Sequence, residues 1–209
     1  MESGLSRAAA LLLGVCLSIP GQVIEFESNG LKYQTITKGG VTVMIAHLPG
    51  HVRELSILQV AVSNGSAGPY TIRPEDFSYK KDDGSELHAW PARDVVQMLK
   101  DKGGRSDVIK LVSAYETALY GIPHMRVANS YEGRRQAALA EVSSTKLKAA
   151  AAASAIALVQ TKLAPGESTD GAVFFGAESK SFGGRLIVRT NTDVFEFGVE
   201  PDRPPAPAP

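Results

Sequence analysis

KAAAAASAIALVQTKLAPGESTDGAVFF, residues 148–175, decides the architecture. Its first half is an alanine-rich run without charge, and its second half is a Pro165-Gly166 turn leading into a short apolar run. The first half invites three readings: a membrane anchor, a seam for a partner, or a helix packed on its own protein. Alanine is the best helix former but only weakly hydrophobic. The run also falls short of the about 20 apolar residues that a spanning helix needs. It therefore reads as the end of a helix that is tolerable in water. Pro165-Gly166 ends that helix and re-aims the chain, so that Gly171–Gly176 reads as a core strand.

Upstream, the helix extends back to about Ser130. A helix over 130–163 would be roughly 50 Å long at 1.5 Å per residue. In heptads it places Val142, Ala149, Ile156 and Leu163 at one position and Thr145, Ala152 and Val159 at the other. This is a seam of small and β-branched residues that lets a second helix approach closely. The natural neighbour is a preceding helix, capped by Ser106 and stopped by Gly121 and Pro123, whose Val108, Leu111, Val112, Tyr115 and Leu119 form one stripe. Before it lies a shorter helix from Pro91 to about Lys102, with Val95, Met98 and Leu99 on one face and Gly103-Gly104 at its end.

Both flanks of this helical stretch read as β. Gln22–Ser28 and Leu31–Lys38 are joined by Asn29-Gly30, a strong hairpin signal because both residues tolerate positive φ. Gly39-Gly40 turns into Val41–Leu48. Arg53–Ser63 is apolar on both parities, as in a strand covered on both faces. Phe77–Lys81 ends at the Asp82-Asp83-Gly84 turn. After the helices, Arg185–Thr190 and Val194–Val199 follow, and Pro201–Pro209 is a proline-rich tail expected to be extended. The order strands, three helices, strands predicts a mainly β fold with an α insertion. Its two sequence halves should pair in one antiparallel sandwich, with the helices projecting from an edge or end. The expected segments are 1–21 signal peptide, 22–90 first half-sandwich, 91–163 helical insertion, 164–200 second half-sandwich and 201–209 tail.

Composition narrows the class. The chain has 209 residues, 22 basic and 22 acidic side chains, a formal net charge of zero and one cysteine. That is enough chain to bury a sizeable core. A neutral chain lacks the basic surface that phosphate neutralisation requires, so a nucleic-acid partner is set aside. Arg7, the apolar Ala8–Ile19 and the Pro20-Gly21-Gln22 break have the layout of an export signal, too short to span a bilayer. Leu13-Gly14-Val15-Cys16 is similar to a lipoprotein box, in which the cysteine becomes the acylated first residue. Val15 stands where a small residue belongs, so a cleaved signal that removes Cys16 is favoured, leaving a mature chain without thiol chemistry.

Short motifs in the strand segments carry a family resemblance. Val60-Ala61-Val62-Ser63-Asn64-Gly65-Ser66, Pro69-Tyr70-Thr71-Ile72, Glu75-Asp76-Phe77 and Asp82-Asp83-Gly84 form its first half. Leu163-Ala164-Pro165-Gly166-Glu167-Ser168-Thr169-Asp170-Gly171, followed by Val173-Phe174-Phe175, forms its second. Together they resemble telokin-like, immunoglobulin-like domains of exported bacterial proteins, many of them of unknown function. The resemblance implies an immunoglobulin-like antiparallel β-sandwich, here interrupted by a three-helix segment, and a binding or accessory role in the envelope rather than catalysis.

Candidate chemistry is sparse. His47 and His51 have an H-x-x-x-H spacing, but Pro49-Gly50 between them forbids the helix that would align two imidazoles on a metal. Asp82, Asp83 and Glu86 around Gly84 lack the twelve-residue calcium-loop pattern and read as a hairpin turn. No nucleophile elbow, dinucleotide fingerprint or phosphate loop is present in the sequence. Asn64-Gly65-Ser66 has the form of a glycosylation acceptor, though a bacterial chain makes it a corner. Trp90 reads as an anchor between sheet and helices. The expectation is thus an exported, periplasmic or secreted, non-enzymatic binding or assembly protein with no cofactor and no metal. Another envelope protein is its expected partner, met on the helical insertion through Arg134, Arg135, Lys146, Lys148, Ala152, Ile156 and Val159. The basic members, with Arg126, suit acidic lipid headgroups as a peripheral contact. The alternative is a small-ligand or metal carrier using the sandwich loops. Deletion of 91–163 is expected to leave a folded sandwich.

Overall fold

The computed structural model describes residues 22–120, 131–140, 142–176 and 184–199. The expected signal peptide with Cys16, the tail over 201–209, Arg126 and the Gly121–Pro123 helix stop lie outside these residues. The described chain forms β1 (Ile24–Ser28), β2 (Leu31–Lys38), β3 (Val41–His47), β4 (Leu55–Asn64), β5 (Tyr70–Ile72), β6 (Phe77–Lys81) and β7 (Glu86–His88). It continues through α1 (Ala92–Lys102), α2 (Arg105–Leu119), α3 (Tyr131–Ala140) and α4 (Thr145–Ile156), and closes with β8 (Thr161–Leu163), β9 (Ser168–Gly176), β10 (Gly184–Arg189) and β11 (Val194–Val199). The fold is mainly β, and its strand ladders are antiparallel.

The strands form a five-stranded sheet in the order β1-β2-β3-β4-β9, a four-stranded sheet β11-β10-β6-β7, and the pair β5-β8. The sequence halves therefore interleave. β9 returns after the helices to pair with β4 from Leu55↔Gly176 to Ser63↔Ser168, and β10 pairs with β6 from the first half. Alternation along a strand sends neighbouring side chains to opposite faces. On β4, Leu58, Val60 and Val62 enter a core shared with Phe77, Tyr79, Leu186, Val188, Phe195 and Phe197 of the smaller sheet. Leu55 and Ile57, of the other parity, enter a second core with Tyr33, Phe174 and the helices.

That second core corrects the expected placement of the helices. They do not project from an edge. They lie across one face of the five-stranded sheet over β2, β3, β4 and β9, with Val95 and Leu99 of α1, Leu111 and Tyr115 of α2 and the alanines of α4 packed onto it. The molecule has three layers: helices, larger sheet, smaller sheet. The stripe read on the second helix is partly right, since Leu111 and Tyr115 are buried and Ala118 joins them.

The long third helix is also corrected, because it is two helices. Ser144 Oγ accepts from the Leu147 amide at 3.2 Å and starts α4 afresh, as an N-cap serine does. At the other end Ala157 leaves helical geometry and the Leu158 amide donates to the Ala172 carbonyl at 2.9 Å. The backbone thus exchanges helix bonds for the edge of β9, and 161–163 is strand β8 instead of helix. Among the described residues four helices stand where three were expected. No helix among the described residues is long and apolar enough to cross a membrane.

The corner at Asn64 and the Pro165-Gly166 turn meet in space. Gly166 N–H donates to the Asn64 carbonyl at 2.6 Å, and the Asn64 amide N–H donates to the Glu167 carbonyl at 2.9 Å. The Asn64 side chain donates to the carbonyls of Gly68 and Leu163 and accepts from the Ser66 amide and hydroxyl. Asn64 is fully buried, so the corner reading of Asn64-Gly65-Ser66 stands over the glycosylation one. Trp90 bridges to Phe174 at the sheet edge and packs on the helical core.

Candidate functional site

Two places on the helical layer concentrate polar chemistry or open apolar surface. The first lies inside. Asp170 stands opposite Ala61 on the helix-facing side of β9, diagonal to Gln59, which pairs with Ala172. The Tyr115 hydroxyl of α2 donates to Asp170 Oδ2, and Arg134 of α3 places Nη2 at 3.7 Å from the same oxygen. Arg134 Nη1 also donates to the Ala157 carbonyl at 3.5 Å. Burial pushes the Asp170 carboxyl above its ordinary value, and the Tyr115 hydrogen bond and the Arg134 guanidinium only partly draw it back. Tyr115 is driven well above the usual phenol value by burial and by the carboxylate beside it.

This cluster is not fully satisfied. Asp170 Oδ1, both polar atoms of the Gln59 amide and Nε of Arg134 have no hydrogen-bond partner. Around Gln59 the sheet supplies alanines, with Ala46 and Ala172 directly across and Ala61 two residues along. A buried polar group without a partner is costly, of order 1–3 kcal/mol each. Tyr131 joins from α3, its ring 5.0 Å from that of Tyr115 and its hydroxyl donating to Glu116 at 3.2 Å. Arg135 pairs with the same Glu116 at 3.0 Å. Helix α3 is thus suspended from α2 and β9 by two arginines and a tyrosine. Chemically, the set orients and holds charge: the acidic group is sealed under Arg134, and its phenol partner is fixed in its protonated form.

The second place is outside. Between α2 and α3 runs an open groove of about 630 Å³. Val108, Ile109, Val112, Tyr120 and Leu139 supply its apolar lining, while Asn29, Glu116 and Arg135 bring polar groups to it. Ile109 and Tyr120 are 56% and 62% exposed, unusual for side chains of this size.

The residues expected to bind a partner do not form one surface. Ala152 and Ile156 are buried within the protein's own core, because α4 packs on α1 and α2 through that face; as contacts for a partner they are corrected. Arg134 turns inward to Asp170, and Arg135 lies at the groove. Lys146 reaches the Asp101 carbonyl of α1 at 2.9 Å, and Lys148 is exposed nearby. Val159 is 44% exposed beyond the end of α4. Sequence reasoning missed Ile109, Tyr120 and Glu116 at the groove, and Asp170 and Gln59 beneath it. For the latter two a signal existed: polar residues at inward parity in strands that are otherwise apolar.

No protein family and no curated protein sequence matches the chain. Among solved structures, that of the yjhA protein from Bacillus subtilis is similar at a TM-score of 0.36 and 9% identity, over 86% of this chain and 96% of that one. A likeness of that size carries no argument about fold or function.

Proposed function

We propose that the chain is an exported, non-enzymatic binding or assembly protein of the bacterial envelope. In this reading it is an immunoglobulin-like sandwich whose helical layer meets another envelope protein. The carrying observation is the groove between α2 and α3, with Ile109 and Tyr120 held out to solvent beside the Glu116–Arg135 pair. Aromatic and branched anchors ringed by a few polar groups are how protein interfaces concentrate their affinity. The partner that fits is a protein surface offering an apolar ridge.

The test is crosslinking in the native envelope with the wild-type chain and with Ile109→Glu/Tyr120→Ser. Both positions are exposed, so the variant should unfold at the wild-type temperature to within a few degrees. It should fail to yield the crosslinked partner that the wild type yields. Equal recovery from both proteins would remove the groove from the interface. A second reading, a small-ligand carrier, is favoured by the unpartnered Gln59 amide beside Asp170. It requires that a bound polar ligand or divalent metal raise the melting temperature in proportion to the logarithm of its concentration.

A further inference from the structure

Among the described residues, the five-stranded sheet has one covered edge and one open one. The far side of β9 receives the Trp90 amide on the Phe174 carbonyl and the Leu158 amide on the Ala172 carbonyl, at 2.7 Å and 2.9 Å. At the other end β1 pairs with β2 along its whole length, and no described strand pairs with its outer side. Open edges are normally blunted by charged side chains, above all lysine, by proline or by a bulge; Ile24-Glu25-Phe26-Glu27-Ser28 has no lysine, proline or bulge, and its only charges are the carboxylates Glu25 and Glu27.

Its two faces differ in chemistry. Phe26 stands opposite Tyr33 and stacks on it, the rings 5.0 Å apart and 7° from parallel. Tyr33 in turn is anchored in the helical core, its hydroxyl donating to the Ala118 carbonyl at 2.8 Å. Phe26 is therefore held in place, and with Ile24 it forms an apolar strip in which Ile24 is 60% and Phe26 37% exposed. Glu25 and Glu27 take the other face. Gln34 and Lys32 stand opposite them on β2, so the edge strand itself presents two carboxylates and no cation.

The geometry points to β1 as an acceptor for an added strand, supplied by a partner protein in which apolar residues alternate with lysine or arginine. Backbone pairing would give such a segment its register, the strip Ile24–Phe26 its apolar contact, and Glu25 and Glu27 its preference for basic side chains. A second copy of this chain fits poorly. An antiparallel pairing of β1 with β1 that sets Ile24 against Phe26 also sets Glu25 against Glu25.

The experiment uses the full chain and two synthetic eight-residue peptides, one alternating valine with lysine and one alternating valine with glutamate. Binding is read by fluorescence anisotropy and located by amide hydrogen exchange. The lysine peptide should bind at least tenfold more tightly than the glutamate peptide and slow exchange within Ile24–Ser28. The Glu25→Lys/Glu27→Lys variant should reverse the order of the two peptides. Equal affinity for both peptides, an unchanged order in the variant, or protection elsewhere would each overturn the proposal. So would protection, without peptide, of the β1 amides that point away from β2: in a dimer the edge belongs to a second copy, and in a monomer to the chain's own residues.

Discussion

At the scale of the residue, two buried polar side chains do opposite work. Asn64 is fully satisfied and ties the first half of the chain to the second, through Leu163 and through the backbone on either side of Pro165-Gly166. Asn64→Ala leaves several buried partners unpaired and should lower the free energy of unfolding by about 2–3 kcal/mol in urea titrations. Asp170 is a liability held in check. Its carboxyl is raised, so the folded protein retains a proton that the unfolded chain has already released. Its contribution is complete below the ordinary value of 3.8 and is lost as pH rises through the raised one. Asp170→Asn has no such loss. Its stability relative to wild type should therefore increase as pH climbs above about 4, measured by denaturation at a series of pH values. A constant difference across that range would mean that Asp170 titrates as an ordinary carboxyl.

At the scale of the element, the strands were more legible than the helices, for a physical reason. Turn chemistry punctuates strands sharply: Asn29-Gly30 and Gly39-Gly40 adopt the positive φ that the sequence implies, and β2, β6 and β11 begin and end where they were expected. An alanine-rich helix carries no such punctuation. Ser143-Ser144 was a cap signal, but a heptad register that ran through it from Val142 to Leu163 concealed the break. The burial of Ala152 and Ile156 was hidden in the same way, since a small-residue seam does not say whether its neighbour is a partner or the protein itself. Ser144→Ala should cost about 1 kcal/mol and lower the helical circular dichroism at intermediate urea before the sheet signal changes. Coincident loss of both signals would show that α4 does not fray separately.

At the scale of the whole molecule, the helices are a layer of the core. Leu55, Ile57, Tyr33 and Phe174 on the sheet are buried only because α1, α2 and α4 lie over them. Each is worth of order 1.5–3 kcal/mol of burial. The expectation that a chain lacking 91–163 keeps a folded sandwich is therefore reversed: that deletion uncovers Tyr33, Leu55, Ile57 and Phe174 on the sheet and removes β8. What sequence could not supply was the side of the sheet on which the helices lie, because β4 is apolar on both parities and either face would accept them. The candidate surfaces, the α2–α3 groove and the β1 edge, depend on that placement.

Native-state hydrogen exchange tests the three-layer account most directly. Amides of Leu99, Leu111, Tyr115 and Ile156 should open with the same free energy, and the same dependence on urea, as those of Leu58 and Val173 in the β4–β9 ladder. Helical amides that open several kcal/mol more easily, as an independent unit, would contradict it.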